Sequence, residues 1–179
     1  MKKITLILFL FYSFCGVHSQ SNQNEKSYFN WFDKLTDAQN NHLSNGTAYY
    51  EVYVTKKGHH QYYASPDFLI GDLIYDEQPY FDIYLQYNLY SDQLILRYFK
   101  DENLRTIQLI KDKVEKFSLN NRNFIRVGKN KINNPGYYEV LLENGDYGLY
   151  KKHYKTRQRH INSAGTFFSF SEKYFLIIR

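Results

Sequence analysis

Short runs of aromatic and β-branched residues recur along this chain, separated by polar or Gly-containing turns at intervals of about ten residues. Such residues suit a half-buried pleated surface, and tight turns force neighbouring strands to run antiparallel. The sequence therefore predicts an all-β fold, mainly an antiparallel meander of about ten strands that is barrel-like or two-layered, with an open twisted sheet as a further alternative. The predicted strands cover residues 48–54, 68–75, 80–87, 93–99, 104–110, 114–119, 124–127, 137–143, 147–154, 166–170 and 174–178.

Three local features refine this expectation. Gly71 lies inside a predicted strand and indicates a β-bulge, and Asn144-Gly145 is the clearest hairpin turn in the chain. The last predicted strand, residues 174–178, is strongly apolar, so we expect it to be paired and buried, because an unprotected apolar edge promotes aggregation. An alternative is that an absent C-terminal segment once covered this strand.

The first nineteen residues have the three parts of a secretory signal peptide. Lys2 and Lys3 form a positive start, residues 4–14 are predominantly apolar, and Val17-His18-Ser19 predicts cleavage before Gln20. A lipoprotein signal that uses Cys15 is the alternative, but the residues before it do not suit one. We therefore expect an exported protein, located in the periplasm, on the outer surface or outside the cell, with no transmembrane segment after cleavage.

The remaining chain is expected to form a single domain. Residues 20–44 are a lead-in whose Phe29, Phe32 and Leu35 fit one face of a short helix or an aromatic-rich coil, and residues 45–179 form the β-rich domain. Cleavage removes Cys15, the only cysteine, so the exported protein has no disulfide. A domain of about 150 residues can be stable without one, because it buries about 70% of its extended surface.

Part of the sequence resembles a family of uncharacterised exported β-rich proteins of Bacteroidota. The resemblance spans roughly residues 46–153. It is carried by Gly71, Tyr75, Tyr80, Ile83, Leu85 and Tyr87, by Asp92-Gln93-Leu94-Ile95, by Phe117, Leu119 and Phe124, by Gly136-Tyr137-Tyr138-Glu139-Val140-Leu141, and by Gly145 with Leu149-Tyr150-Lys151-Lys152. These are framework residues, and the resemblance implies no established activity and no functional residue.

The charges are distributed unevenly. From Gln20 onward, 21 Lys and Arg stand against 18 Asp and Glu, a net charge of +3 that is too small to make the whole protein a polyanion binder. Residues 61–96 contain six acids and no Lys or Arg, whereas residues 151–160 contain only basic charges. These basic residues are Lys151, Lys152, Lys155, Arg157 and Arg159, with two histidines among them.

Two interpretations of this basic cluster follow. One is a solvated strand end and loop whose charges keep a sheet edge from pairing with a neighbour. The other is a contact for an anionic ligand, namely phosphate-rich lipopolysaccharide, an acidic polysaccharide or an acidic envelope protein. Nucleic acid is not an expected partner of an exported chain.

No motif for catalysis or for a cofactor stands out. His59 and His60 are adjacent on a predicted turn, where their rings would point apart, so we expect exposed turn histidines rather than a metal site. Asp76 and Glu77 are interpreted as turn residues rather than calcium ligands. The sequence thus favours a non-enzymatic exported binding module without cofactors. The alternative is a secreted hydrolase that acts on glycans through an acidic pair brought together only by folding.

Overall fold

The structure is a computed structural model that describes residues 26–27, 42–100, 102–128, 134–145, 147–163 and 165–178. The predicted signal peptide, Cys15 and most of the lead-in, with its alternative short helix, lie outside these residues. Within the described residues, helical turns occur at Lys26 and Ser27 and in two 3-10 turns, His42–Ser44 and Lys111–Lys113.

The predicted all-β class is confirmed, because the described residues form ten antiparallel strands in one sheet. The strands are β1 (Thr47–Ala48), β2 (Leu69–Tyr75), β3 (Gln78–Asn88), β4 (Gln93–Lys100), β5 (Asn103–Gln108), β6 (Val114–Leu119), β7 (Arg122–Val127), β8 (Gly136–Asn144), β9 (Tyr147–Asn162) and β10 (Gly165–Ile178). Their order across the sheet is β1-β5-β4-β3-β2-β6-β7-β8-β9-β10. The sheet is open, with β1 and β10 at its two edges, so neither the barrel nor the two-layer alternative is adopted.

The sheet consists of two meanders that meet at β2. One runs from β2 to β5, and the other runs from β6 to β10 on the opposite side of β2. The segment that connects the two meanders, residues 109–113, runs from the start of β4 to the turn between β2 and β3. One backbone hydrogen bond joins this segment to β4, and another joins it to the turn. The Leu109 N–H donates to the Leu94 carbonyl over 2.9 Å, and the Asp76 N–H donates to the Lys113 carbonyl over 2.8 Å.

Contacts between aromatic side chains show that the sheet is strongly curved. The ring centroids of Tyr87 on β3 and Tyr137 on β8 lie 5.6 Å apart, although four strand spacings, about 19 Å in a flat sheet, separate these strands. Phe117 on β6 and Phe124 on β7 stack between them at 4.8 Å. The concave face of the curved sheet therefore encloses the aromatic core.

Local predictions in the first half of the sheet are confirmed in part. The pairing of β2 with β3 shifts register between Gly71 and Leu73, which is the predicted bulge. A Cβ atom on Gly71 would collide with the Ser118 carbonyl, so the close approach of β6 requires glycine there. The strand predicted over residues 48–54 was too long, because only Thr47–Ala48 pairs with β5.

The C-terminal region differs most from the predictions. The strands predicted over residues 166–170 and 174–178 are one strand, because Ser171, Glu172 and Lys173 continue the pairing of β10 with β9. Strand β9 likewise continues to Asn162, so the basic cluster that we expected at a strand end and loop lies within a strand. Together β9 and β10 form one long hairpin, residues 147–178, which we call the basic hairpin.

The last strand is paired, as predicted, but the prediction that it is buried was wrong. Tyr174, Leu176 and Ile178 are 62%, 53% and 79% exposed. They share one face of β10, and β9 is the only strand in the described part of the sheet that pairs with β10 over these residues. Phe175 and Ile177 point to the other face, where they pack against a small apolar cluster around Tyr138.

Candidate functional site

The basic hairpin carries most of the candidate residues from the sequence, and strand alternation sorts them by face. Residues 147–178 contain six Lys and Arg but only one acid, Glu172. Because alternate side chains share a face, four of the five candidates point to one side of β9, together with His153, and Lys152 points to the other. These four are Lys151, Lys155, Arg157 and Arg159.

Lys152 is a structural residue in this fold. Its side chain is 8% exposed, and its ammonium lies 2.7 Å from the Asp92 carboxylate. Asp92 also pairs with Lys111 at 2.6 Å and accepts a 2.6 Å hydrogen bond from the Tyr87 hydroxyl. Lys152 therefore connects β9 to the turn between β3 and β4, and it is not available to an external ligand.

The pKa of Asp92 reflects the strength of this network. Burial alone would raise it, but the Lys152 ammonium and the hydrogen bonds from Lys111, Lys152 and Tyr87 outweigh burial. The pKa of Asp92 is therefore lowered below its ordinary value. The negative charge of Asp92 is a stable part of the folded protein, and it compensates a cation that burial would otherwise disfavour.

Lys155 is also engaged by the protein itself. Its ammonium donates to the carbonyls of His60 and Tyr62 at 2.9 and 2.8 Å, and its side chain is 8% exposed. Burial lowers the pKa of Lys155, although the nearby Glu172 carboxylate opposes this effect. Lys155 thus attaches the segment around residues 60–62 to the basic hairpin.

Arg157 lies among three aromatic rings but remains exposed at the surface. Its guanidinium carbon is 4.6 Å from the ring centre of Tyr53, 5.1 Å from that of Tyr90 and 4.8 Å from that of Phe168. Such cation–π contacts orient a guanidinium without neutralising its charge. Arg157 is therefore a fixed positive charge at the surface of the hairpin.

Lys151 is held in a similar way, and two further cations belong to the same hairpin. The Lys151 ammonium is 4.3 Å from the ring centre of Tyr174. Arg159 and Lys173 are exposed, the first on the face of Lys151 and the second on the opposite face. Within the described residues, no carboxylate is ion-paired with Lys151, Arg157, Arg159 or Lys173. The hairpin consequently carries four uncompensated positive charges, of which Lys151 and Lys173 are next to the exposed apolar side chains of β10.

The structure also brings together a row of charged side chains, buried at its centre, that the sequence did not predict. His153 on β9 lies between two carboxylates, with Nε2 2.6 Å from Glu139 of β8 and Nδ1 3.1 Å from Glu172 of β10. Arg122 lies 3.5 Å from the other oxygen of Glu139. His153 thus connects β8 and β10 through its two ring nitrogens.

This row holds three strands together rather than forming an open acidic pair. Glycoside hydrolysis needs two carboxyl groups with a sugar between them, whereas the His153 ring fills the space between Glu139 and Glu172. Both Glu139 and His153 are almost completely buried. Glu172 lies beside His153 because β10 pairs with β9 without a break. The strand break predicted at residues 171–173 did not place Glu172 next to β9, so the sequence did not predict this contact.

The remaining candidates have structural partners too. The expectation that His59 and His60 are exposed was wrong, because both are half-buried. His59 lies 3.2 Å from the Phe170 carbonyl, and His60 accepts a 3.2 Å hydrogen bond from the Tyr62 N–H. Burial, with Lys155 nearby, lowers the pKa of His60. In the part of the chain that the structure describes, no three His, Cys, Asp or Glu side chains are grouped to hold a metal ion.

Three of the six acids in residues 61–96, namely Asp72, Asp76 and Asp92, pair with bases from other parts of the chain. Asp72 pairs with Lys26 at 2.9 Å, and Asp76 pairs with Lys113 at 2.6 Å. Asp76 has a positive φ of 54° and lies in the turn between β2 and β3, in accordance with its interpretation as a turn residue.

No family model, no curated protein and no solved structure matches this chain. The resemblance to exported proteins of Bacteroidota therefore stays a prediction. Among the described residues there is no helix whose length and apolar character would let it cross a membrane.

Proposed function

We propose that this protein is a non-enzymatic interaction module that binds a negatively charged partner on the basic hairpin. The observation that carries the proposal is the set of four uncompensated cations on one hairpin, Lys151, Arg157, Arg159 and Lys173. Two of them, Lys151 and Lys173, are next to the exposed Tyr174, Leu176 and Ile178. The sequence-based prediction of export places this binding in the periplasm, on the outer surface or outside the cell. The partner is then an envelope protein or an anionic glycan.

The composition of this surface supports binding. Arg and aromatic residues are enriched at protein interfaces, and their fixed geometry reduces the entropy lost on binding. Here the surrounding rings already orient Arg157 and Lys151. Charges of one sign on a single hairpin also attract an oppositely charged partner and increase its rate of association.

The test measures retention of the protein on two anionic probes, immobilised polyglutamate and a sulfated polysaccharide. In the hairpin variant, Lys151, Arg157, Arg159 and Lys173 are replaced with Gln. In the control variant, the same replacement is made at Lys100, Arg105, Lys113 and Lys116, which lie on β4, on β5, in the second 3-10 turn and on β6, away from the hairpin. The two variants have equal net charge, so only the position of the lost charges differs.

We expect the hairpin variant to lose at least about tenfold in affinity for one or both probes, while the control variant stays within about twofold of the original protein. The salt dependence of binding should also flatten in the hairpin variant, because exposed charges are screened over about 8 Å at physiological ionic strength. Equal losses in both variants would contradict the proposal, since they would reflect net charge alone.

A further inference from the structure

We infer that the partner is an extended acidic polypeptide segment that adds to the sheet as a further strand along the outer edge of β10. This inference rests on the proposed function and names the class of partner. It follows from the backbone of β10, from the side chains around its edge and from the sign of their charge.

Over its last part, residues 172–178, β10 pairs with β9 on one side and with no strand of the described residues on the other. Phe168 points its backbone groups away from β9, since its N–H donates to the Val54 carbonyl and its carbonyl accepts from the Lys56 N–H, both at 2.9 Å. Alternate residues of a strand direct their backbone groups to the same side. The outward-pointing residues that follow are Phe170, Glu172, Tyr174, Leu176 and Ile178.

His59 occupies the first of these positions, through the contact of its ring with the Phe170 carbonyl. From Glu172 to Ile178, the outward N–H and C=O groups have no protein partner within the described residues. This length corresponds to about 20 Å of strand. It is long enough to pair with a segment of about six or seven residues.

The side chains around this edge indicate the sequence that would pair there. Tyr174, Leu176 and Ile178 offer apolar contacts to every second residue of an added strand. Lys151 lies on the same face as these apolar contacts and Lys173 on the opposite face, so each face offers a cation to a carboxylate. A segment in which acidic residues accompany β-branched or aromatic residues would therefore satisfy the backbone, the apolar face and the charges together.

The same charges disfavour a second copy of this chain as the occupant. Two β10 edges placed side by side would double the number of uncompensated cations in one place, and lysines on an edge strand are a known protection against such self-pairing. An anionic glycan could neutralise the charges, but it lacks the regular row of N–H and C=O groups that the edge requires. An acidic peptide strand meets both requirements.

The test uses a capped peptide of about eight residues in which Glu alternates with Val, and the same peptide with alternate amides N-methylated. On the protein side, Leu176→Pro is compared with Leu176→Ala. Both remove the leucine side chain, but only proline removes the outward N–H and blocks the edge, while the inward bonds to β9 remain possible. A sulfated polysaccharide serves as the probe that cannot add a strand.

We expect the peptide to bind Leu176→Ala at least about tenfold more tightly than Leu176→Pro, and N-methylation to abolish binding. In the unsubstituted protein, the peptide should protect the amides of Glu172, Tyr174 and Leu176 from hydrogen exchange, a readout independent of any variant. The polysaccharide should not distinguish the two Leu176 variants.

Three results would overturn the inference. Equal peptide affinity of the two Leu176 variants, without protection of the edge amides, would exclude strand addition. Binding of the polysaccharide alone, lost in the four-residue hairpin variant, would leave the proposed function standing with a glycan as partner. Self-association of the protein that Leu176→Pro abolishes would make a second copy the occupant. If the hairpin variant binds both the peptide and the polysaccharide as tightly as the original protein does, the proposed function itself would be contradicted.

Discussion

Replacement of Asp92 with Asn should destabilise the protein strongly, because the carboxylate compensates the buried Lys152. The two charged groups lie 2.7 Å apart, and their side chains are 19% and 8% exposed. The introduced amide could keep a hydrogen bond to Tyr87, and asparagine suits the left-handed backbone of this position, where φ is 53°. The substitution therefore removes the charge with little change in shape.

The expected loss follows from the burial of the cation that remains. Removing one partner of a buried ion pair costs about 3–5 kcal/mol, because the other charge is left uncompensated. Asp92 and Lys111 are partly exposed, and water moderates their part of the network, so we expect about 3 kcal/mol. The free energy of unfolding from urea titration, followed by circular dichroism, measures this loss.

The chain offers a matched control in Asp76→Asn. Asp76 also has a left-handed backbone and also pairs with a lysine at 2.6 Å, but both side chains of that pair are about one-third exposed. We expect a much smaller loss there. Combining Asp92→Asn with Lys152→Met should restore part of the stability. Equal losses for the two Asn variants, or no recovery in the double variant, would refute the reasoning.

Three further predictions concern pH, backbone conformation and export. Because the pKa of Asp92 is lowered in the folded protein, the stabilising effect of its charge is present above the ordinary value of 3.8 and disappears as the pH falls through the lowered value. Urea titrations should therefore show that the difference in stability between the original protein and Asp92→Asn becomes smaller in that pH range. A constant difference would contradict this prediction. Gly136→Ala should lower the melting temperature far more than Gly145→Ala, because Gly136 has φ +143° and its added Cβ would collide with Asp92 and Lys152. Intact-mass measurement on secreted protein should give Gln20, or a residue within one or two positions of it, as the first residue, whereas an acylated Cys15 would contradict the predicted cleavage.

Local signals accounted for most of the individual strands. The bulge at Gly71 and the hairpin at Asn144-Gly145 depend on the backbone freedom of glycine and on turn chemistry, which neighbouring residues determine. The all-β class likewise follows from alternation and turn spacing. These features could be predicted because each depends on a few residues close together in the sequence.

The order of the strands could not be predicted in this way. The chain returns from β5 to pair β6 with β2, and this depends on the curvature that brings Tyr87 and Tyr137 together across five strands. The polar residues at 171–173 indicated a break in the last strand, but pairing with β9 outweighs their local preference.

The candidate site was predicted by composition and only partly by position. The excess of bases in residues 151–160 identified the basic hairpin. Its sequence could not distinguish Lys152 and Lys155, whose ammonium groups are bound inside the protein, from Arg157, whose charge stays at the surface. That distinction depends on Asp92 and on the carbonyls of residues 60 and 62, which are distant in sequence.

The most direct test of the proposed binding surface is a titration of the isotope-labelled protein with polyglutamate, followed by NMR chemical shifts of the backbone amides. We predict that the largest shifts occur on β9 between residues 151 and 159 and on β10 between residues 172 and 178, and that they saturate. Shifts that are spread equally over Lys100, Arg105 and Lys116, or that are absent from both strands of the hairpin, would contradict the proposal.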